Sequence, residues 1–151
     1  FFFSFLVPGI RRFAAERLPF RLIVSLTCAD PARRRELMPA AAPLPELRDA
    51  LREYHAATGR RVTLAWTMIA GLNTREEDAI QLAEWVGGLP ITLDLIDVND
   101  ATGRFRPPGP EELAAFRDAL RKHLQMPVAR RYSGGQDVHA ACGMLAGGAA
   151  D

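Results

Sequence analysis

Lysine is almost missing from this chain: of 19 basic residues only Lys122 is not arginine. A GC-rich coding sequence explains that skew most simply, and the fitness of the guanidinium for gripping phosphate comes second. An excess of either charge is missing too, since 18 acidic residues leave a net charge of +1. That balance excludes the strong overall field of a self-sufficient nucleic-acid binder and leaves only local basic clusters. Cysteine is scarce: Cys28 and Cys142 stand far apart without CxxC spacing, which argues against a disulfide scaffold and a zinc site and fits a reducing cytoplasm. Long hydrophobic runs are absent as well. The opening FFFSFLVP lacks a basic leader and meets Pro8 before a spanning length, so neither a signal peptide nor a membrane helix is expected. No initiator methionine is present, as expected of a piece of a longer protein.

A length of 151 residues predicts one domain, over 1–151, able to bury a core. From Leu22 onward, short β-branched or apolar runs alternate with helical stretches. RLIVSLT (21–27), RVTLAWTMI (61–69), ITLDLID (91–97) and PVARRY (127–132) read as strands largely apolar on both faces. Between them, Leu47, Leu51 and Tyr54 fall at helical spacing ahead of a capping Gly59. Thr74 with Glu77 forms a capping-box signal for a helix burying Ile80, Leu82, Ala83 and Val86. Pro110 opens a helix with Leu113, Phe116, Leu120 and Leu124 as its stripe. FFFSF reads as a further strand, followed by a helix over 8–17. This alternation predicts an α/β fold of parallel βα units with helices on one or both sides of the sheet.

In such folds the working residues gather at the C-terminal ends of the strands. Those positions hold Ser25, Thr27 and Cys28, then Met68, then Asp97 and Asn99, and finally residues 133–142 with Cys142 between two alanines and a glycine. Small neighbours leave space over a sulfur for something large to approach, although most free cysteines are simply small buried hydrophobes. Arg33, Arg34 and Arg35 read as solvated surface rather than a phosphate contact. Arg104 and Arg106 flank Phe105, an interleaving suited to nucleic acid. Alternation should send one of Arg130 and Arg131 inward. His55, His123 and His139 make no ligand set by spacing, so no metal site is expected, and Trp66 and Trp85 read as core.

The succession IVSLT, GRRVTLAWTMIAGLN, LDLIDVN, GRFRPP and RRYSGGQDVHAACGMLAG resembles the C-terminal half of the RlmN and Cfr family of radical S-adenosylmethionine (SAM) RNA adenine-C2 methyltransferases. The resemblance covers virtually the whole chain, and DVHAACGML is its most specific part. It implies the C-terminal half of a radical SAM partial TIM barrel. It also implies that Cys142 is the methyl carrier, taking a methyl from one SAM; a deoxyadenosyl radical made from a second SAM activates that methyl for addition to C2 of an adenine. Ser25, Leu26 and Thr27 fall on a SAM-contacting segment and Asn99 on another contact position. The implied partner is ribosomal RNA, with transfer RNA the second candidate, in the cytoplasm.

The sequence departs from that pattern at defined places. Thr27 stands for a histidine, Phe2 for a serine, Ala65 for a glutamate, Gly134 for an arginine, and Asp97 and Asp100 for prolines. The family's 4Fe-4S cluster needs three cysteines of a CxxxCxxC loop, which two separated cysteines cannot supply. Its ligands would lie outside this chain, which alone is expected to be inactive. A diverged radical SAM paralogue with another activity or none, and a non-catalytic α/β module that holds RNA, remain as alternatives.

Overall fold

A computed structural model describes residues 6–100 and 102–131. The expected FFFSF strand, Phe2, Ser133, Gly134, His139 and Cys142 lie outside the described residues. Within them the order is α1(Leu6–Ala15), β1(Ile23–Ser25), α2(Pro31–Leu37), α3(Leu44–Thr58), β2(Val62–Met68), α4(Glu76–Val86), β3(Ile91–Asp97), α5(Pro110–His123) and β4(Val128–Arg131). The four strands form one sheet in the order β1-β2-β3-β4, and every neighbouring pair is parallel. The expected α/β architecture is therefore present.

Strand alternation divides the sheet into two unlike faces. Val24, Leu26, Val62, Leu64, Trp66, Met68, Ile91, Leu93 and Leu95 join residues of α1, α3, α4 and α5 in a single core. Among the described residues, the helices of this core cover one face only. The other face carries Ile23, Ser25, Thr63, Ala65, Thr67, Thr92, Asp94, Ala129 and Arg131. The expectation of strands apolar on both faces is corrected here. β-branched threonine looks apolar in a pattern count, yet Thr63 and Asp94 present polar groups on a face that excludes the helix core.

Helix signals locate the other elements closely. Gly59 ends α3 in the left-handed conformation at φ 67° and donates its N–H to the His55 carbonyl, a role that costs glycine least. Pro110 occupies the first helical position after Gly109. The expected Thr74–Glu77 box is one residue out of register: Arg75 precedes the helix, and its N–H donates to Asp78 Oδ2 at 2.9 Å. Thr74 instead donates to Glu112 of α5. In α4 the buried set is Asp78, Ala79, Leu82, Trp85 and Val86, while Ile80 and Ala83 are only half-buried. Trp66 and Trp85 are in the core, their indole N–H groups donating to the Asn73 and Leu44 carbonyls at 3.2 and 3.1 Å.

Candidate functional site

Parallel pairing sends the ends of β1, β2 and β3 to one rim, bringing together the segments that hold Ser25, Leu26, Thr27 and Asn99. The register places Ser25 beside Ala65 and Ala65 beside Asp94. Ser25 is exposed on the helix-free face. Leu26 continues the ladder, donating its N–H to the Ala65 carbonyl at 2.9 Å, and its side chain is fully buried in the core. A ligand at this rim would therefore meet Ser25 through its side chain and find Leu26 acting on the backbone of the segment. Met68 is fully buried, so it belongs to packing rather than to the rim.

The chain then turns sharply at Thr27. Its φ is 59°, a strained value for a β-branched residue, and the Cys28 N–H reaches back to the Leu26 carbonyl at 2.6 Å. This is the hydrogen-bond pattern of a three-residue turn, whose positive-φ form is rare and costly. Two side chains hold it. Arg34 donates to the Leu26 carbonyl. Asn73, fully buried, donates from Nδ2 to the Thr27 carbonyl at 2.7 Å and the Thr67 carbonyl at 2.8 Å, while its Oδ1 accepts from the Ile69 N–H at 2.8 Å. One amide therefore ties the end of β1 to the end of β2. Sequence reading does not single out Asn73, whose only signal is an asparagine after a strand, two residues beyond Gly71.

The arginine run corrects another expectation. Arg34 is only 4% exposed, and Arg33 donates to the Leu72 carbonyl at 2.7 Å and pairs with buried Asp78 at 2.5 Å. Only Arg35 lies on the surface. A short helix set over a loop turns successive residues in different directions, which a plain charge run does not reveal. Cys28 is fully buried; burial pushes its thiol up, against the lowering effects of its hydrogen bond to the Asp30 carbonyl and of Arg33. It is a packing thiol rather than a nucleophile.

At the other side of the rim, Asp97 pairs with Arg130 at 2.8 Å and Asp94 with Arg131 at 2.5 Å. Arg130 is the more buried of the two arginines, as alternation requires. Asp97 Oδ1 is buried without a hydrogen-bond partner, an oxygen available to a donor. Asn99 is half-buried in the loop that follows β3. That loop is folded by Asp100, which accepts from the Thr102 N–H and hydroxyl and from the Phe105 N–H at 2.9, 2.7 and 2.8 Å. These bonds, the Thr102 hydroxyl first, hold the Asp100 carboxyl below the ordinary carboxylate range. Arg104 lies over the Phe105 ring at 5.0 Å. His55 Nδ1 donates to the Arg60 carbonyl at 2.8 Å, and His123 meets Glu76 at 2.8 Å. Among the described residues no cluster of three or more histidine, cysteine or acidic side chains is placed to hold a metal. No helix among them is long and apolar enough to cross a membrane.

No protein-family model matches the sequence. Curated relatives and a solved structure do. A probable RNA methyltransferase of Anaeromyxobacter sp. (strain Fw109-5) is 58% identical over 142 residues, covering 92% of this chain and 42% of the relative. By sequence the chain is similar, over nearly its whole length, to RlmN-type RNA methyltransferases. The dual-specificity RNA methyltransferase RlmN of the same organism is 39% identical over 146 residues, covering 95% of this chain and 38% of RlmN. A radical SAM methyltransferase from Sphaerobacter thermophilus superposes with a TM-score of 0.86 at 37% identity, covering 91% of this chain and 41% of that structure. The chain thus spans about two fifths of the length of the RlmN-type proteins it matches, consistent with their C-terminal portion.

Proposed function

We propose that this chain, over 1–151, is the C-terminal part of the barrel of a radical SAM RNA methyltransferase that delivers a methyl group to C2 of an adenine through Cys142. The observation that carries this reading is similarity along nearly the whole chain to proteins named RNA methyltransferases, and a rim that gathers Ser25, Leu26, Thr27 and the Asn99 loop supports it. Ribosomal RNA is the proposed substrate and transfer RNA the second candidate; the proposed compartment is the cytoplasm.

The donor set at the rim suits SAM. The exposed Ser25 hydroxyl, the Asn99 amide and the unpartnered Asp97 oxygen offer both donors and acceptors to the amino-acid and ribose groups of that ligand. SAM, when bound, supplies the methyl group. Thr27 and Leu26 shape the strand end from which Ser25 projects, and the Arg34 and Asn73 bonds hold that shape in advance of binding. Cys142 accepts the methyl as a thiolate, the nucleophilic form of the group. The 4Fe-4S cluster does not fit this chain's own residues, because two cysteines cannot supply three thiolate ligands; its ligands belong to the remainder of a longer protein, and this chain alone is inactive.

A second reading has one observation in its favour. The same Anaeromyxobacter strain has one relative at 58% identity named only a probable RNA methyltransferase and another at 39% named RlmN. The chain sits with the former, which favours a paralogue with its own RNA target. The test incubates the intact protein, its cluster reconstituted, with SAM and RNA, then digests both products for mass spectrometry. The proposal expects a methyl on Cys142 and 2-methyladenosine in the RNA. RNA methylated elsewhere would support the paralogue, and unmodified Cys142 in a protein that methylates RNA would remove the role given to that thiol.

A further inference from the structure

At the end of the sheet opposite the rim, the α1–β1 connection holds Pro19, Phe20 and Arg21, and the α3–β2 connection holds Arg60 and Arg61. Parallel topology brings these two connections together, and with Tyr54 of α3 they line a cleft of about 430 Å³, a size that admits a nucleotide. Three features distinguish it from ordinary surface. Phe20 is 63% exposed, an aromatic ring held out in water. Among the described residues no carboxylate pairs with Arg21, Arg60 or Arg61. Two of these arginines are nevertheless fixed: Arg60 Nη1 donates to the Leu18 and Phe20 carbonyls at 2.7 and 3.4 Å, and Arg61 Nη1 to the Ile91 carbonyl at 3.1 Å. Bonds to neutral carbonyls orient a guanidinium without cancelling its charge.

The third feature is Tyr54. It is fully buried, and its hydroxyl has no hydrogen-bond partner, whereas a buried tyrosine hydroxyl ordinarily finds one. Tyr54 forms part of the cleft wall.

We propose that this cleft binds a nucleotide unit of single-stranded RNA: Phe20 stacks on a base, and Arg21, Arg60 and Arg61 hold backbone phosphate. Interleaved positive charge and an exposed ring are the means by which proteins hold unpaired strands with little sequence preference. The cleft lies a strand's length from the rim, roughly 20 Å at about 3.3 Å per residue, so it grips RNA flanking the reacting base. This inference rests on the reading that the protein acts on RNA, and adds a second contact area to it.

The test measures anisotropy of a short fluorescein-labelled single-stranded RNA titrated with the intact protein. Thermal unfolding confirms that each variant is folded. Phe20→Ala should weaken binding about tenfold, the loss of one stacked base. Arg21→Ala should reduce the slope of log affinity against log salt by about one. If these variants bind like wild type while Arg104→Ala and Arg106→Ala lose affinity, the cleft assignment falls and the RNA reading stands. A wild-type intact protein that binds no RNA overturns both. Displacement of the RNA by inorganic phosphate at equal affinity would mean a simple anion site and overturn the nucleotide assignment.

Discussion

Asn73→Ala is the substitution that tests the rim most directly. The Asn73 side chain satisfies three backbone groups, the Thr27 and Thr67 carbonyls and the Ile69 N–H, all at 2.7 to 2.8 Å. Alanine keeps the backbone and removes every one of these partners. A buried polar group stripped of its partner costs about 1–3 kcal/mol, so three of them, some reached by water at the rim, should cost about 3–5 kcal/mol. Urea unfolding followed by the fluorescence of Trp66, whose indole N–H donates to the Asn73 carbonyl, reports the loss. A double-mutant cycle then separates local strain from general loosening. Thr27→Gly should by itself stabilise the chain by about 1 kcal/mol, because glycine tolerates the φ of 59° that costs threonine. In the Asn73→Ala background that gain should shrink, since the turn is free to relax. A loss below about 1 kcal/mol for Asn73→Ala, or a Thr27→Gly gain unchanged by it, would refute the claim that this amide holds the turn.

Three further outcomes follow. Hydrogen bonds from His123 and Lys122 lower the Glu76 carboxyl to about 2; its contribution to stability is complete above the ordinary carboxylate range and lost as pH falls through about 2. A carbon-NMR titration should find that midpoint and see it rise in His123→Ala and in Lys122→Ala; a midpoint near the ordinary value refutes the contact. Cys28, buried and with its thiol pushed up, should resist iodoacetamide at neutral pH until the chain unfolds, as peptide mass spectrometry would show; labelling of the native chain would place it in the open. Arg131→Ala strands the carboxylate of Asp94, whose side chain is 5% exposed, and should cost about 1–2 kcal/mol, discounted because Arg131 is half in water; adding Asp94→Ala should recover part of that loss in urea unfolding.

What was legible in the sequence was whatever is written in local periodicity. Strand β3 spans the predicted residues, and Gly59 and Pro110 mark helix ends because their backbone geometry is intrinsic to the residue. β1 is shorter than its apolar run because the chain leaves the ladder at the Thr27 turn, and no residue there announces a positive φ. The gathering of Ser25 and the Asn99 loop at one rim followed from parallel topology alone. Asn73, Arg33 and Arg34 could not be found the same way, since their partners lie across the fold: Asn73 meets Thr27 and Arg33 meets Asp78. A one-dimensional pattern records that a residue is polar and not what it will touch.

The positions where this chain departs from the family pattern bear on the choice between a decayed relative and a specialised one. Loss of selection would strand charges, because a new carboxylate arrives without a partner and a buried one is costly. The rim is built otherwise. Asp97 stands where a proline is usual and pairs with Arg130 of the next strand. Asp100 also replaces a proline, and it folds the following loop through three hydrogen bonds in place of a ring's rigidity. At the level where Ala65 has lost a glutamate, its register partner Asp94 carries a carboxylate on the same face, paired with Arg131. Asp97 and Asp94 are answered by arginines of the next strand and Asp100 by groups of its own loop, so none of these three carboxylates is stranded as loss of selection would leave it.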